Sequence, residues 1–339
     1  MNNYNNFIQV PVKEMETVFQ AILLKYGLAE EKAKKCAAIF TSNSVDGVIT
    51  HGVNRFPRFI EYIQKGYINI NAEPTLQHKV GGIEQWNGNL GPGILNAITA
   101  TSVATKLSDE YGIGCVALSN TNHWMRGGAY GWQAAKEGYV FIGWTNTIAN
   151  MPAWGATDAK LGNNPLVIAI PYNDEAIVLD MAMSQFSFGA MEMAVLENKN
   201  LVQPGGYDSN GNLSIDPIEI MKTRRSLPIG YWKGAGLALL LDLLAAILSG
   251  GLSTKDITAK ETEHSVSQIF IAIALTKLQN YQSINAIITS IINDYHQSVG
   301  INEESKVLYP GERVLSARIK NNAEGVRVNK KIWDEILAL

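Results

Sequence analysis

Short apolar runs that alternate with helical segments constrain the fold of this chain more than any other feature. The runs "IGCVALSN" (113–120) and "YVFIGWTN" (139–146) are almost continuously apolar, which is typical of strands buried on both faces of a sheet. Helical spacing of apolar residues precedes the first run, over 91–112, and separates the two, over about 128–137. This alternation predicts a mixed α/β (α+β) fold with a layered mixed sheet.

The two ends of the chain have a different character, because helical patterns dominate there. Apolar positions recur at helical spacing over 11–26 and 29–47, and each segment stops at a glycine. We expect residues 1–73 to form a helical region that packs with the C-terminal helices within 284–339. Residues 74–283 would then form the mixed-sheet core.

One apolar segment is long enough to raise the question of a membrane span. The stretch "GAGLALLLDLLAAILSGG" covers 234–251 and carries Asp242 at its centre. A bilayer helix needs about 20 apolar residues, and a carboxylate in its middle costs several kcal/mol. We therefore expect a helix between the sheet and another layer or subunit, with Asp242 paired or at a wet edge.

Charge and cysteine content argue against several classes of partner. The 339 residues carry a net charge of −3, and the most basic run, "KTRR" (222–225), is too short for a nucleic-acid footprint. Cys36 and Cys115 lack metal-ligand spacing, so we expect no bound metal and two buried, reduced thiols. The first residues have neither the basic nor the apolar part of a secretory signal, which favours the cytoplasm.

The common catalytic signatures are missing from the sequence. The nearest approach to a dinucleotide-binding GxGxxG is "GAGLAL" at 234–239, which precedes a helix but follows a loop. There is no GxxxxGK[ST], no HExxH and no GxSxG, which removes the simplest support for P-loop enzymes, zinc proteases and serine hydrolases.

A first polar cluster lies in "THGVNRFPRF" (50–59). With a helix beginning near Gly52, Arg55 and Arg58 would lie about one turn apart, and Arg55 could bind a carboxylate through its planar guanidinium. His51, just before that helix, can exchange a proton near neutral pH. The alternative is a histidine that caps the helix beside arginines that solvate its face.

A second cluster, "SNTNHWMRGG" (119–128), follows a buried strand, where ligands of α/β sheets commonly bind. Asn120, Asn122, His123 and Arg126 supply polar groups there, and the two glycines allow a ligand to approach the backbone. A polar turn packed over Trp124 would explain the same residues without a ligand.

Two single residues complete the candidates. Lys233 precedes glycines and a long helix, an arrangement suited to a phosphate, although it equally fits a solvated lysine. Asp180 is a carboxylate within the apolar strand "IVLDMAMS", and a buried acid is either paired or functional.

Six ordered segments together resemble the type-2 malate/L-lactate dehydrogenase family. They are "THGVNRFPRF", "NHWMRGGAYGWQAA", "GWTNTIANMPAWGA", "NNPLVIAIP", "VLDMAMSQFSFG" and "LPIGYWKGAG", which lie in this order between residues 50 and 236, and the resemblance runs over nearly the whole chain. The resemblance implies a cytoplasmic homodimer with a nicotinamide-binding fold that is not of the Rossmann type. It also makes residues 74–283 the core for cofactor binding and dimerisation.

The resemblance also assigns the cofactor, NADH with NADPH as the alternative. Its binding segments correspond to Ala176, Ile177, Val178, Leu179, Asp180, Met181 and Ala182, to Trp232 and Lys233, and to Gly311, Glu312 and Arg313.

For the chemistry, the resemblance implies reduction of a 2-oxo acid, here a sugar acid, with His51 as the proton donor. An imidazolium at His51 would protonate the oxygen as hydride reaches the carbon. Asp180, as the second catalytic residue, would orient or charge that histidine. We expect Arg55, His123 and Asn164 to bind the substrate. Many relatives have threonine where this chain has Asn163, so the substrate contacts at that turn differ.

Three alternatives remain open at this point. A malate, lactate or ureidoglycolate-type dehydrogenase would use the same residues on another 2-hydroxy acid. A lyase or aldolase would use Lys233 as a Schiff-base amine. A sugar-acid binding protein would retain the fold without turnover.

Overall fold

A computed structural model describes residues 6–302 and 304–339 of the chain. The α-helices of this part are α1 Val12–Lys25, α2 Glu30–Val45, α3 Phe56–Gln64, α4 Gly93–Tyr111, α5 Gly128–Lys136, α6 Phe188–Leu196, α7 Pro217–Thr223, α8 Trp232–Ser249, α9 Thr254–Thr258, α10 Ile284–His296, α11 Glu312–Glu324 and α12 Lys330–Ala338. The strands are β1 Phe7–Val10, β2 Thr75–Val80, β3 Ile83–Asn87, β4 Ile113–Thr121, β5 Tyr139–Thr145, β6 Met151–Pro152, β7 Ala159–Leu161, β8 Leu166–Tyr172, β9 Glu175–Met181, β10 Gly206–Tyr207, β11 Leu213–Ser214, β12 Val266–Ala274 and β13 Val326–Asn329.

A seven-stranded mixed sheet forms the centre, in the order β2-β3-β4-β12-β5-β8-β9. Only β3 and β4 run parallel, and the other neighbours are antiparallel. The predicted mixed α/β architecture is confirmed, and β4 and β5 coincide with the two apolar runs.

Alternate residues of the central strands enter two separate apolar clusters. On one face Val116, Leu118 and Phe270 pack with α4 and α5. On the other face Ala117 and Ile269 pack with small and apolar residues of α8. Because neighbouring residues of a strand point to opposite faces, the central strands are covered on both sides, which explains why their sequences are continuously apolar.

A third cluster joins the two ends of the chain. Residues of α1, α2 and α3, such as Phe19, Phe40 and Phe56, pack with Trp333 and Ile336 of α12. β1 pairs antiparallel with β13 beside them. Helix α10, in contrast, contacts β8 of the central sheet. The proposed division of the chain at residues 73 and 284 stays a prediction.

Helix α8 is long and apolar enough to cross a membrane by length and composition alone. Its inner side, including Ala238 and Ala245, packs on the sheet. Asp242 has the partners that its position required, since its Oδ1 accepts hydrogen bonds from Asn146 Nδ2 at 2.9 Å and from the Thr254 backbone at 2.8 Å. The outer side, including Leu240, is exposed in the single chain.

The two thiols are both free, as predicted. Cys36 is buried in the cluster of the chain ends, whereas Cys115 on β4 is only partly buried. The expectation of full burial was therefore wrong for Cys115.

Candidate active site

A cavity of about 650 Å³ lies where the helical ends of the chain meet the sheet. Its wall combines the turns before α3, the loop after β4, the loop after β5, strand β9, and the starts of α6 and α11. Three residues that the sequence analysis selected from separate segments, His51, His123 and Asp180, all line it.

His51 lies in a 3₁₀ turn rather than directly before a long helix. Two such turns, Ile49–His51 and Val53–Arg55, are separated by Gly52, and α3 begins only at Phe56. The prediction of a helix start near Gly52 was wrong for a packing reason. A Cβ at Gly52 would lie 2.2 Å from Ser44 Oγ of α2, and that hydroxyl accepts a hydrogen bond from the Val53 backbone at 2.9 Å.

The imidazole of His51 stacks on that of His123, with ring centroids 5.7 Å apart and an interplanar angle of 15°. Thr50 Oγ1 lies 3.1 Å from His51 Nδ1. Burial, followed by the charges of Arg55 and Arg126, lowers the pKa of His51 from 6.5 to about 4. The free protein therefore holds a neutral imidazole at pH 7, and the expected imidazolium has to form when a ligand binds.

His123 is held in one tautomer by its own loop. The Met125 backbone N–H donates to His123 Nδ1 at 2.9 Å, so the neutral ring carries its proton on Nε2. Burial, followed by the positive charge of Arg55, lowers the pKa of His123 well below its usual value. Met125 has a φ of 65°, a left-handed conformation that is uncommon for a non-glycine residue.

Arg55 and Arg58, which we call the cavity arginines, both line the cavity. Among residues 6–302 and 304–339, neither guanidinium has a carboxylate within 4.0 Å or a side-chain hydrogen bond. Burial lowers the pKa of Arg55, which reflects the free-energy cost of holding a charge there. Two cations without partners at a cavity wall suit a carboxylate ligand.

A second pair, Arg126 and Arg318, is compensated within the protein, and we call these the paired arginines. Asp46 Oδ2 lies 2.6 Å from Arg126 Nη1, and Asp46 Oδ1 lies 2.8 Å from Arg318 Nε. Arg126 Nε also faces Asp180 Oδ2 at 3.9 Å. Sequence reasoning missed Asp46 and Arg318, which are 272 positions apart. A signal was present for Asp46, because an acid at the C-terminal end of a helix opposes the helix dipole.

Asp180 interacts with a different part of the wall from the one we expected. Its Oδ2 accepts a hydrogen bond from the Gly128 backbone at 2.8 Å, and a Cβ at Gly128 would lie 2.8 Å from the same oxygen. Among the described residues no ion pair within 4.0 Å joins this carboxylate to His51, and its expected role in orienting or charging the histidine stays a prediction. Burial raises the pKa of Asp180, and Arg126 counters that effect.

The expected cofactor segments divide into two groups. Val178, Asp180 and Ala182 line the cavity along β9, and Gly311 lies beside them. Gly311 has a φ of 94°, and a Cβ there would lie 3.1 Å from the Val178 backbone nitrogen. Glycine therefore allows the loop before α11 to lie directly on β9, where the Val178 N–H donates to the Pro310 carbonyl at 3.0 Å.

The remaining expected cofactor residues lie away from the cavity wall. Trp232 and Lys233 begin α8, and Arg313 is exposed on α11. The Glu312 carboxylate contacts His296 Nε2 at 3.0 Å and accepts the Tyr309 N–H. Because Lys233 does not line the cavity, a Schiff-base lyase would lack its amine there.

The turn at residues 162–165 requires a correction. Asn164 is buried, and its amide group is used inside the protein, accepting from the Thr147 backbone at 3.0 Å and donating to the Ala238 carbonyl at 2.8 Å. Asn163, the neighbouring residue, lines the cavity instead. Asn164 therefore supports the wall, and Asn163 faces the ligand space.

Several polar residues of the wall were not selected from the sequence, among them Tyr62, Thr147, Asn150 and Glu263. Thr147 and Asn150 follow β5, and Glu263 precedes β12, so each lies next to an end of a central strand. Their position relative to strand ends was the available signal. The complete cavity can bind an anion and exchange a proton with it.

Comparison with known proteins gives a consistent relationship over the whole chain. The family model described as malate/L-lactate dehydrogenase matches residues 10–337. The chain is 42% identical over 333 residues to the 2,3-diketo-L-gulonate reductase of Klebsiella pneumoniae and 40% identical to that of Pasteurella multocida, in both cases over 98% of this chain and 100% of the relative. The solved malate dehydrogenase of Entamoeba histolytica shares the fold, with a TM-score of 0.92 at 23% identity over 97% of this chain and 96% of that one.

These similarities confirm the resemblance inferred from the six sequence segments. Dehydrogenases of this family act on small molecules with a nicotinamide cofactor. The chain belongs to the malate/L-lactate dehydrogenase family and is an oxidoreductase that acts on a CH–OH group.

Proposed function

We propose that the protein reduces 2,3-diketo-L-gulonate to 3-keto-L-gulonate with NADH, and that His51 donates the proton. The relatives named 2,3-diketo-L-gulonate reductase, which match over their full length, support this substrate. The observation that carries the proposal is the pair of cavity arginines without carboxylate partners beside two neutral imidazoles. Such a site suits the carboxylate and the neighbouring carbonyl of a 2-oxo acid.

In this mechanism Arg55 binds the substrate carboxylate and thereby directs the 2-oxo group toward His51. Burial and, after it, the charges of Arg55 and Arg126 lower the pKa of His51. Binding of the anion offsets those charges, so the imidazole takes up a proton from solvent. When bound, the nicotinamide cofactor supplies the hydride that adds to the carbonyl carbon. His51 transfers its proton to the carbonyl oxygen and returns to the neutral form.

Asp180 and His123 have supporting roles in this proposal. Asp180 accepts a hydrogen bond from the Gly128 backbone N–H, and so it holds the start of α5 against β9. His123 Nε2 is left free to donate a hydrogen bond to the substrate, because Nδ1 is occupied by the Met125 N–H. We assign the contact at the 162–165 turn to Asn163.

The residues present fit a nicotinamide dinucleotide. Val178 and Gly311 both line the cavity, and α11, a helix of 13 residues, starts at Glu312, directly after Gly311, so the positive end of its dipole lies at this wall, where it suits a phosphate. We propose that these two segments hold the cofactor. The choice of NADH over NADPH follows the prediction from sequence.

We also propose that the protein is a cytoplasmic homodimer. The outer side of α8 exposes Leu240, Leu243 and Ile247, next to the exposed Leu239 and Leu244. A contiguous apolar side of this kind is typical of a subunit interface. Gel filtration with light scattering would measure the mass directly, and a monomer at micromolar concentration would contradict the homodimer.

Oxidation of NADH in the presence of 2,3-diketo-L-gulonate tests the substrate. We expect the fall in absorbance of NADH to be faster with this acid than with pyruvate, oxaloacetate or glyoxylate. A clear preference for one of the other acids would favour the malate, lactate or ureidoglycolate-type alternative. No oxidation with any of them would remove the proposed activity and leave a binding protein as the better interpretation.

Replacement of His51 tests the proton donor. We expect His51→Asn to lower kcat by about 10²–10⁴-fold, the usual contribution of a general acid, while the Kd for NADH changes little. Wild-type turnover in this variant would contradict the assigned role.

A further inference from the structure

A short loop at the cavity rim, residues 259–265, holds a carboxylate beside the cavity arginines. Glu263 lines the cavity, and its Oε2 accepts a hydrogen bond from the Ile148 backbone at 3.0 Å. The next residue, His264, stacks on Tyr67 with centroids 5.1 Å apart. The hydrogen bond orients the Glu263 carboxylate, and the stacking of the next residue holds the loop in place.

The loop that carries Glu263 has an unfavourable backbone conformation at two residues. Glu261 and Ser265 have φ values of 61° and 59°, and neither is a glycine. Left-handed conformations in such residues cost on the order of 1 kcal/mol each and occur where function requires a particular geometry. The strain lies on both sides of Glu263.

Glu263 lies close enough to the cavity arginines to influence them without forming an ion pair. It is beyond the 4.0 Å limit from both guanidiniums among the described residues. Its charge nevertheless counters the burial that lowers the pKa of Arg55, and with burial it raises the pKa of Tyr62. Arg55 and Arg58 carry two positive charges and Glu263 offsets one of them, while Glu192, which also lines the cavity, acts on Arg55 in the same direction as Glu263.

We propose that Glu263 is a specificity-determining residue that limits the site to 2-oxo acids with one carboxylate. This inference rests on the proposed function, since it assigns a substrate class to the same cavity. A second carboxylate, as in oxaloacetate, would add a negative charge beside one that is already held in place. For charges roughly 6–8 Å apart at a protein-like dielectric, such repulsion amounts to about a 10- to 100-fold difference.

The substitution Glu263→Gln keeps a hydrogen-bonding side chain of the same shape and removes the charge. We expect the ratio of kcat/KM for oxaloacetate to that for 2,3-diketo-L-gulonate to rise at least tenfold in this variant. Glu263→Asp, which retains the charge, should keep a ratio close to that of the wild type. Glu61→Gln is a matched control on α3, because Glu61 is exposed, pairs with Lys65 and does not line the cavity.

A second experiment needs no variant and so does not depend on folding of Glu263→Gln. The wild-type enzyme is assayed with oxaloacetate and with its 4-methyl ester, which is larger but lacks the second charge. We expect kcat/KM for the ester to be at least tenfold higher than that for oxaloacetate. Steric crowding alone would give the opposite order, because the ester is larger. Equal rates with the two, or an unchanged ratio in folded Glu263→Gln, would overturn the role of Glu263 and leave the proposed function intact. No NADH oxidation with any 2-oxo acid would overturn both.

Discussion

The cavity arginines and the paired arginines differ in how their charge is compensated, although Arg55, Arg58 and Arg126 all line the same cavity. Arg126 is 5% exposed and Asp46 is 9% exposed, and their ion pair is shared with Arg318. Arg55 and Arg58 have no such partner in the described part of the chain. The paired arginines therefore join the end of α2, the loop before α5 and helix α11 to one another, whereas the cavity arginines are available to an anionic ligand. Residue type alone does not distinguish these roles.

The largest effect that we expect from this comparison concerns stability. Asp46→Asn would leave two arginines without their shared carboxylate, and loss of one partner of a buried pair costs about 3–5 kcal/mol in the free energy of unfolding. Urea unfolding followed by circular dichroism measures this change. Asp334→Asn, which breaks the exposed pair with Lys330, should cost less than about 1 kcal/mol. An equal loss in the free energy of unfolding in the two variants would contradict the structural role of Asp46.

Removal of a cavity arginine should lower activity without lowering the free energy of unfolding, which is the opposite of what we expect for Asp46→Asn. We expect Arg55→Ala to lower kcat/KM by about 30- to 150-fold, equivalent to about 2–3 kcal/mol, because the substrate carboxylate loses its guanidinium. The free energy of unfolding should stay the same or rise, since burial of Arg55 has a cost. Arg327→Ala, at an exposed position paired with Glu197, is the control and should leave kcat/KM unaffected. A strongly destabilised Arg55→Ala protein would remove the distinction between the two arginine pairs.

Proton uptake on ligand binding should be the next largest effect. The pKa of His51 is about 4 in the free protein, so the imidazole is neutral between pH 5 and 7. A bound carboxylate raises this pKa, so binding of the unreactive analogue oxamate at pH 6 should take up a proton, and affinity should fall as pH rises. Titration calorimetry in buffers with different ionisation enthalpies measures the uptake. If wild type and His51→Asn take up the same number of protons, another group titrates.

The smallest expected effect is the difference in kcat/KM between variants of the two cavity arginines. Arg58 is exposed, whereas Arg55 is partly buried, and solvent screens an exposed charge. We therefore expect Arg58→Ala to lower kcat/KM by only about 3- to 10-fold, and this loss should shrink further in 0.5 M salt. An effect as large as that of Arg55→Ala would mean that both arginines bind the carboxylate.

Local sequence patterns were sufficient to predict much of the fold. Helix α4 and strands β4 and β5 were predicted because apolar residues recur within each segment at the spacing of that element. The pairing of His51 with His123 in one cavity was also anticipated, because both lie in polar segments that match one family. Local patterns did not reveal the start of α3, which depends on how closely Gly52 approaches Ser44.

Long-range contacts account for the other differences. The roles of Asn163 and Asn164 depend on which of two adjacent amides faces Ala238 of α8. Asp180 faces Arg126 and Gly128 rather than His51, and nothing in the spacing of these residues predicts that choice. Each case concerns the direction of a side chain in a packed wall, which neighbours distant in sequence decide.

By itself, the sequence determined the layered architecture, the family and several of the residues that line the cavity, because periodicity and ordered motifs are properties of neighbours along the chain. The tertiary structure alone decided which arginines are compensated, which asparagine lines the cavity, and that burial and nearby charges hold the pKa of His51 at about 4. Those properties depend on burial and on distances between charges, and both arise only when residues as far apart as Asp46 and Arg318 come together.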